Sequence, residues 1–322
     1  MDPVRIGVIG TGRMGQSHCR VYSNLRHAKF VGICDVNADL GKDMARKHEV
    51  AYFRDVDALL ENVDAVSVCT PTPDHFEIVK RCLDQNIHVM VEKPFTETLE
   101  QAEALKDAAA KSKVVVQVGH IEKYNPAFIE LQKVLEGMDI LAMNFNRLSP
   151  FQGSNVDVDV VLDLMIHDIG LVVDMFDMEP VSVDAHGFSV FTDTIDHSMA
   201  IVKYEPAPLL SLTASRITEQ KVRGISVTTK EAYIEADLLH KTIAVHRRTL
   251  GDYVNQKNSV KYRQESLMER IVVPAVEPLF LELQDFVNCV SEHGTPQVSA
   301  MDGYRALRFV ISLRDKILES KR

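Results

Sequence analysis

The opening fifteen residues, MDPVRIGVIGTGRMG, run an apolar segment, Val4–Ile9, straight into three glycines spaced G-x-G-x-x-G. That spacing alone is weak. Here a strand-like run precedes it and residues 13–25 follow with helical periodicity, which is the setting that gives it meaning. In such a turn Gly10 closes the corner, Gly12 lets a pyrophosphate approach the backbone, and Gly15 lets the helix pack on the strand. Thr11, Arg13 and Met14 complete a loop whose N–H groups and helix dipole face an anion. Six of the chain's 15 glycines lie in its first 41 residues, so this end needs backbone that side chains would obstruct.

The pattern continues to about residue 120. Short apolar runs at 30–34, 51–53, 65–69, 88–91 and 114–118 alternate with helical stretches at 37–47, 74–86 and 99–111. Unbroken apolar strands with helices between them form parallel βαβ units, buried on both faces. The expected fold is α/β, a doubly wound parallel sheet over 1–120. Residues 121–322 read as an α+β domain with a large, open, mostly antiparallel sheet. Its strands are expected at 139–147, 181–191, 197–204, 208–216, 223–235 and 242–247. The run LLSLTAS at 209–215 alternates, so one face of this sheet is covered. Helices are expected at 125–135, 160–176, 276–292 and 301–320, with the last packing back on the first domain, and a long polar loop at 250–270.

Charge and cysteine content narrow the function. With 46 acidic against 36 basic residues the net charge is −10, which disfavours nucleic acid as a partner. No apolar stretch reaches the ~18 residues of a membrane span, and no basic-then-apolar leader is seen. The five cysteines include no C-x-x-C pair, so no metal knuckle or disulfide framework is indicated and a reduced cytoplasmic location is expected.

Ligands of doubly wound sheets bind at the carboxyl ends of the strands. There the second strand offers Asp35, 20 residues beyond Gly15, where a carboxylate binds ribose hydroxyls and repels a 2′-phosphate; it can also cap the helix at 37–47. NAD is therefore expected over NADP. The next ends supply Thr70, Pro71 and His75, then Glu92 and Lys93, then Gln117 and His120. Lys93 follows an apolar strand between an acid and a proline, which suits a hydrogen-bonding or acid–base role. The helix VVLDLMIHDIGLVVDMF (160–176) is apolar nearly all round yet carries Asp163, His167, Asp168 and Asp174. Asp163 and His167 stand four apart on one helical face, a spacing that serves a general base and its partner or a purely structural pair. No third ligand at a recognisable spacing makes them a metal site.

GTGRMG at 10–15, CTPTPDH at 69–75, EKP at 92–94 and D-x-x-x-H at 163–167 together resemble the Gfo/Idh/MocA oxidoreductase family over nearly the whole chain. That resemblance implies an N-terminal Rossmann domain, a C-terminal open sheet used between copies in a homodimer or homotetramer, and a tightly held nicotinamide cofactor. It places Lys93 near the nicotinamide and the reacting hydroxyl, with His167 as general base and Asp163 as its partner. It also implies a cis Lys93–Pro94 bond. One departure is the stretch Asn155–Val160, where many members carry a Gly-Gly pair. GHIEKYNPAF (119–128), NRLSPF (146–151) and VVLDLMIHDIGLV (160–172) resemble the family's nucleotide-sugar branch. This branch includes UDP-N-acetylglucosamine 3-dehydrogenases of envelope polysaccharide and lipid A pathways. Lys123 and Tyr124 stand where that branch usually has Arg and Phe. On this reading His120, Lys123, Asn125 and Arg147 supply donors to a diphosphate or uracil, beside Asp163 and His167. The alternatives are a free-sugar or inositol dehydrogenase, and a non-catalytic NAD-binding regulator. Such a regulator should lose the lysine or the histidine, and both are present.

Overall fold

The computed structural model describes residues 2–153, 156–247, 252–256, 259–263 and 267–320, with 252–256 and 259–263 described through their backbone. Asn155, in the stretch that departs from the family pattern, lies outside the described residues. Six apolar strands, β1 (Val4–Ile9), β2 (Ala28–Cys34), β3 (Ala51–Phe53), β4 (Ala65–Val68), β5 (His88–Glu92) and β6 (Val116–Gly119), form one parallel sheet. The order β3-β2-β1-β4-β5-β6 is that of a dinucleotide-binding sheet, reversing direction between β1 and β4. Helices α1 (Arg13–Tyr22), α2 (Ala38–His48), α3 (Val56–Leu60), α4 (His75–Asp84) and α5 (Leu99–Lys111) connect these strands. Ile6, Val8, Val66, Val68, Val89 and Val91 are all 0% exposed, so the strands are apolar on both faces because both are buried.

After α6 (Pro126–Leu135), the chain builds an eight-stranded sheet from β7 (Ile140–Leu148), β8 (Ser182–Phe188), β9 (His197–Lys203), β10 (Leu209–Ser215), β11 (Val222–Thr229), β12 (Ala232–Asp237), β13 (Thr242–Arg247) and β16 (Leu267–Ile271). It is antiparallel except where β7 runs parallel to β10. Leu210, Leu212 and Ala214 are buried, whereas Met199, Ile201, Leu209 and Tyr233 stand 40–50% exposed: one face is covered and the other open, as the alternation predicts. The polar segment at 250–270 is not a loop. It holds the paired strands β14 (Asp252–Gln256) and β15 (Ser259–Arg263), then β16. Strand formation here follows β-branched and aromatic content (Tyr-Val, Val-Lys-Tyr) more than apolarity. The expected strand at 223–235 is two strands, turned at Lys230 and Glu231 without a glycine. Thr229 Oγ1 instead accepts the N–H groups of Glu231 (3.1 Å) and Ala232 (2.9 Å).

Two more helices close the chain, α8 (Pro278–Glu292) and α9 (Ala300–Ser320), after α7 (Ile166–Met175). The chain folds as two compact units. The first is Met1–Tyr124 with Ile169–Met175 and Val276–Ile311; the second is Asn125–Asp168 with Phe176–Ala275 and Ser312–Arg322. The boundary expected from sequence, a single cut near residue 120, is thus crossed again by later segments. Among the described residues no helix is long and apolar enough to cross a membrane.

The second unit is braced by a buried ion pair. Arg216 Nε donates to Asp196 Oδ1 at 2.6 Å, and Asp196 Oδ2 accepts the N–H groups of Val190, Phe191 and Thr192. Burial pushes the Asp196 carboxyl up, but these donors and the guanidinium outweigh it and hold the group well below the ordinary carboxylate range. A group that releases its proton more readily folded than unfolded stabilises fully above the ordinary range, and that contribution is lost as pH falls through the depressed value. Asp196→Ala, which strands the Arg216 charge, is expected to cost about 3–5 kcal/mol in urea melts at neutral pH. Asp196→Asn should make stability less dependent on pH in the acid range than in wild type.

Candidate active site

The glycine loop takes the shape its residues predict. Gly10 has φ +85°, and a Cβ there would lie 2.9 Å from the Cys69 carbonyl and the Thr70 nitrogen. A Cβ on Gly15 would lie 1.9 Å from Gly10 O, so the helix start and the strand end are in direct backbone contact. Gly12 is different: a Cβ there would meet nothing within 4 Å. Gly12 is also the N-cap of α1 and contributes no side-chain cap, so the first-turn N–H groups need another acceptor. Those N–H groups and the space at Gly12 fit a pyrophosphate. Arg13 is exposed beside them and Met14 half-buried.

Asp35 ends β2 and organises the loop. Its Oδ2 accepts Thr11 N (2.6 Å) and Thr11 Oγ1 (2.5 Å), and its Oδ1 accepts Asn37 N (2.8 Å). Both lone-pair sites of Oδ2 are thereby filled, and Oδ1 keeps acceptor capacity for a ribose hydroxyl. The capping role allowed for Asp35 belongs to Asn37, whose side chain accepts from Leu40 N. Val36, next in sequence, is fully exposed and supplies no cation for a 2′-phosphate.

The remaining strand ends divide into groups that face outward and groups spent within the protein. Thr70 Oγ1 is buried without a hydrogen-bond partner among the described residues, and Pro71 beside it is exposed. His75 sets its Nε2 3.0 Å from Thr70 O and its Nδ1 3.0 Å from Pro94 O. Burial lowers its pKa despite those carbonyls, so a neutral ring donates to one at a time and staples the ends of β4 and β5. Expected as a cofactor contact, His75 has both nitrogens turned to backbone. Glu92 is 9% exposed at the end of β5; Lys93 is half-buried and its bond to Pro94 is cis. Gln117, also expected at the cofactor, is 0% exposed and donates to Glu282 O at 3.0 Å.

His120 is 2% exposed, with neither ring nitrogen hydrogen-bonded among the described residues. Burial, then the charges of Lys123 and Lys93, push it down to about 4, so it is neutral at physiological pH. It rests on Gly170 of α7, where a Cβ would lie 2.8 Å from its Nδ1. Gly170→Ala is therefore expected to displace the His120 ring, visible as a shifted imidazole NMR signal.

Three donors assigned to a diphosphate or uracil have protein partners instead. Lys123 Nζ reaches Asp174 Oδ1 and Gln297 O, both at 2.7 Å. Asn125 caps α6 through Ala127 N and donates to Leu238 O. Arg147 clasps Asp168 with two bonds of 2.9 and 2.7 Å, both residues under 5% exposed. Two of the four unexplained charges on the helix at 160–176 are thus structural ion pairs.

The other two, Asp163 and His167, lie half-buried at a break in the helix. Residues Val161–Met165 form a π turn, closed by Ile166 N–H donating to Val161 O, and α7 begins straight after. Asp159 caps the start, accepting Val161 N and Leu162 N at 2.9 Å. Single π turns inside helices recur at functional sites. Sequence periodicity did not reveal this one, and it also missed His18, 0% exposed on α1 and 2.9 Å from Glu92. The signal for His18 was present: Gly15, His18, Cys19 and Tyr22 form the buried stripe of α1.

Residues 4–120 match a family model described as an oxidoreductase family with an NAD-binding Rossmann fold. The UDP-N-acetylglucosamine 3-dehydrogenase of Acidithiobacillus ferrooxidans is 32% identical over 314 residues, 98% of this chain and 97% of the other. A solved structure of that protein superposes with a TM-score of 0.89, covering 98% of each chain at 30% identity. The myo-inositol 2-dehydrogenase of Thermotoga maritima is 28% identical over 99% of this chain and 97% of its own length. A parallel sheet in dinucleotide-binding order, an open glycine loop with an acid at the second strand end, and this chain-long likeness make the protein a member of the Gfo/Idh/MocA oxidoreductase family, with NAD as its cofactor.

Proposed function

We propose that this protein oxidises a secondary hydroxyl, that on C3, of a UDP-N-acetylhexosamine to a ketone. The observation that carries the substrate class is the likeness to UDP-N-acetylglucosamine 3-dehydrogenase along 98% of the chain. NAD, when bound, supplies the hydride acceptor. The protein's own groups do the rest. Gly10, Thr11, Gly12 and Gly15 shape the pyrophosphate cradle, with Arg13 and Met14 beside it, and Asp35 takes the ribose hydroxyls. Thr70 and Pro71 line the next strand end. Lys93 orients the substrate hydroxyl and stabilises negative charge on its oxygen. His167 takes the hydroxyl proton, with Asp163 fixing its tautomer. His120, neutral and without a hydrogen-bond partner among the described residues, offers the substrate one donor and one acceptor. Lys123, Asn125 and Arg147 serve by holding the backbone around these groups.

The test is incubation with NAD and UDP-N-acetylglucosamine, following the reduced nicotinamide band and the keto sugar by mass spectrometry. Turnover with UDP-N-acetylhexosamines, and none with inositols, is the expected result. Turnover of inositol alone moves the substrate to cyclic polyols, the second reading, which the Thermotoga maritima relative favours. Cofactor binding without turnover of any sugar removes the enzymatic reading. A groove lined by Leu148, Tyr233, Glu235 and Met268 runs over the open face of the second sheet. A second copy packing there would give a homodimer or homotetramer by light scattering.

A further inference from the structure

Lys93 follows directly on Glu92, and Glu92 is gripped from two sides. His18, on α1, places Nε2 2.9 Å from Glu92 Oε1. On β6, the Cβ position of Gly119 lies 3.1 Å from Glu92 Oε2 and 3.2 Å from its Cα, so a side chain there would press on the carboxylate. A second carboxyl, Glu282 on α8, is 0% exposed with neither oxygen hydrogen-bonded among the described residues. Burial, then the charges of Glu92 and Asp285, push Glu282 well above the usual range. The carboxyl group that meets His18 is that of Glu92. His18, Cys69 and Glu92 also bring a nitrogen, a sulfur and an oxygen within 4.8 Å of one another, a donor set that zinc accepts. Burial pushes the Cys69 thiol up, and within the cluster His18 and Glu92 form a hydrogen-bonded couple.

We propose that the His18–Glu92 couple positions Lys93, so that the helix opened by the glycine loop also sets where the ammonium stands. His18 lies one turn along α1 from Gly15, and its imidazole bridges from that helix to the last residue of β5. With Glu92 clamped between His18 and Gly119, the backbone leaves the strand in one direction, and Lys93 is the next residue out. His18 is a positioning residue, acting through Glu92. The inference rests on Lys93 as the residue that meets the reacting hydroxyl.

Full-length His18→Leu, His18→Gln and Glu92→Gln proteins test it, after circular dichroism and thermal melting confirm folding. Three quantities are read: NAD affinity by calorimetry, acetylation of Lys93 by acetic anhydride at one pH by peptide mass spectrometry, and kcat with KM on the sugar that wild type turns over. His18→Leu is expected to keep NAD affinity within about threefold and to change Lys93 labelling by at least about threefold. It should lose about ten- to a hundredfold in kcat with little change in KM. His18→Gln, which keeps an N–H donor on a comparable reach, should recover most of both losses. Wild-type labelling of Lys93 in folded His18→Leu and Glu92→Gln overturns the inference. If His18→Leu does not fold, the near-isosteric Glu92→Gln decides alone. If wild type turns over no sugar, the function proposed above fails, and Lys93 labelling still decides the role of the couple.

Discussion

Replacing His167 by alanine is expected to lower turnover about 10²–10⁴-fold while leaving NAD affinity within about threefold of wild type. The two effects separate because His167 belongs to the second unit and the glycine loop to the first. His167 has the character of a proton acceptor set in place. It is half-buried at the first turn of α7, flanked by Met165 and Ile166, both 0% exposed, and follows a π turn capped by Asp159. The fixed backbone leaves the imidazole few orientations, which a general base needs in order to meet one hydroxyl. His167→Asn should lose about as much as alanine, since an amide hydrogen-bonds but takes no proton. Steady-state kcat on a UDP-N-acetylhexosamine, beside NAD affinity by calorimetry, makes the comparison. Full turnover in His167→Ala removes the histidine from the mechanism.

The second large effect is expected at the glycine loop, where two neighbouring glycines should fail in different ways. In Gly15→Ala the new Cβ would stand 1.9 Å from Gly10 O, an obstacle made of backbone that no rotamer change relieves. The start of α1 must move, and with it the N–H groups that face the pyrophosphate. Overpacking of this kind costs about 1–3 kcal/mol or more, so both melting temperature and NAD affinity should fall, the latter about a hundredfold or more. In Gly12→Ala the Cβ meets no protein atom within 4 Å. Stability should change by less than about 0.5 kcal/mol while NAD affinity still collapses, because the methyl fills the space the phosphates need. Undiminished NAD affinity in folded Gly12→Ala would mean that the space over Gly12 is not the cofactor's. Denaturant melts and calorimetry read both quantities on the same samples.

The first sheet was legible because its strands are buried on both faces and so stay apolar from end to end, as in Val4–Ile9 and Ala65–Val68. Asp35 was legible for a similar reason: one residue at one strand end, set by a fixed distance from Gly15. What escaped depended on pairing. Arg147 and Asp168 lie 21 residues apart, and Lys123 and Asp174 lie on different elements. A lysine destined for a buried aspartate and one destined for a phosphate look the same in one dimension. The strands at 252–263 escaped because their residues are polar, and the turn at Lys230 because a threonine hydroxyl takes the place of a glycine. For Asp163 and His167 the spacing predicts an i, i+4 pair on a regular helix, a geometry that the π turn over Val161–Met165 replaces.

That turn gives the chain one residue more than an α-helix would use over the same rise. The residues after it are held by their own anchors, Asp168 to Arg147 and Asp174 to Lys123. The surplus therefore cannot be passed forward; it is absorbed before His167, around Asp163. A chain shortened by one residue in Val161–Met165 would recover a regular helix with the flanking segments left in place. Asp163 would swing away from its present heading while His167 stayed where it is. A one-residue deletion at this point would therefore change the heading of the Asp163 side chain relative to His167, an effect that a length change in a surface loop does not have.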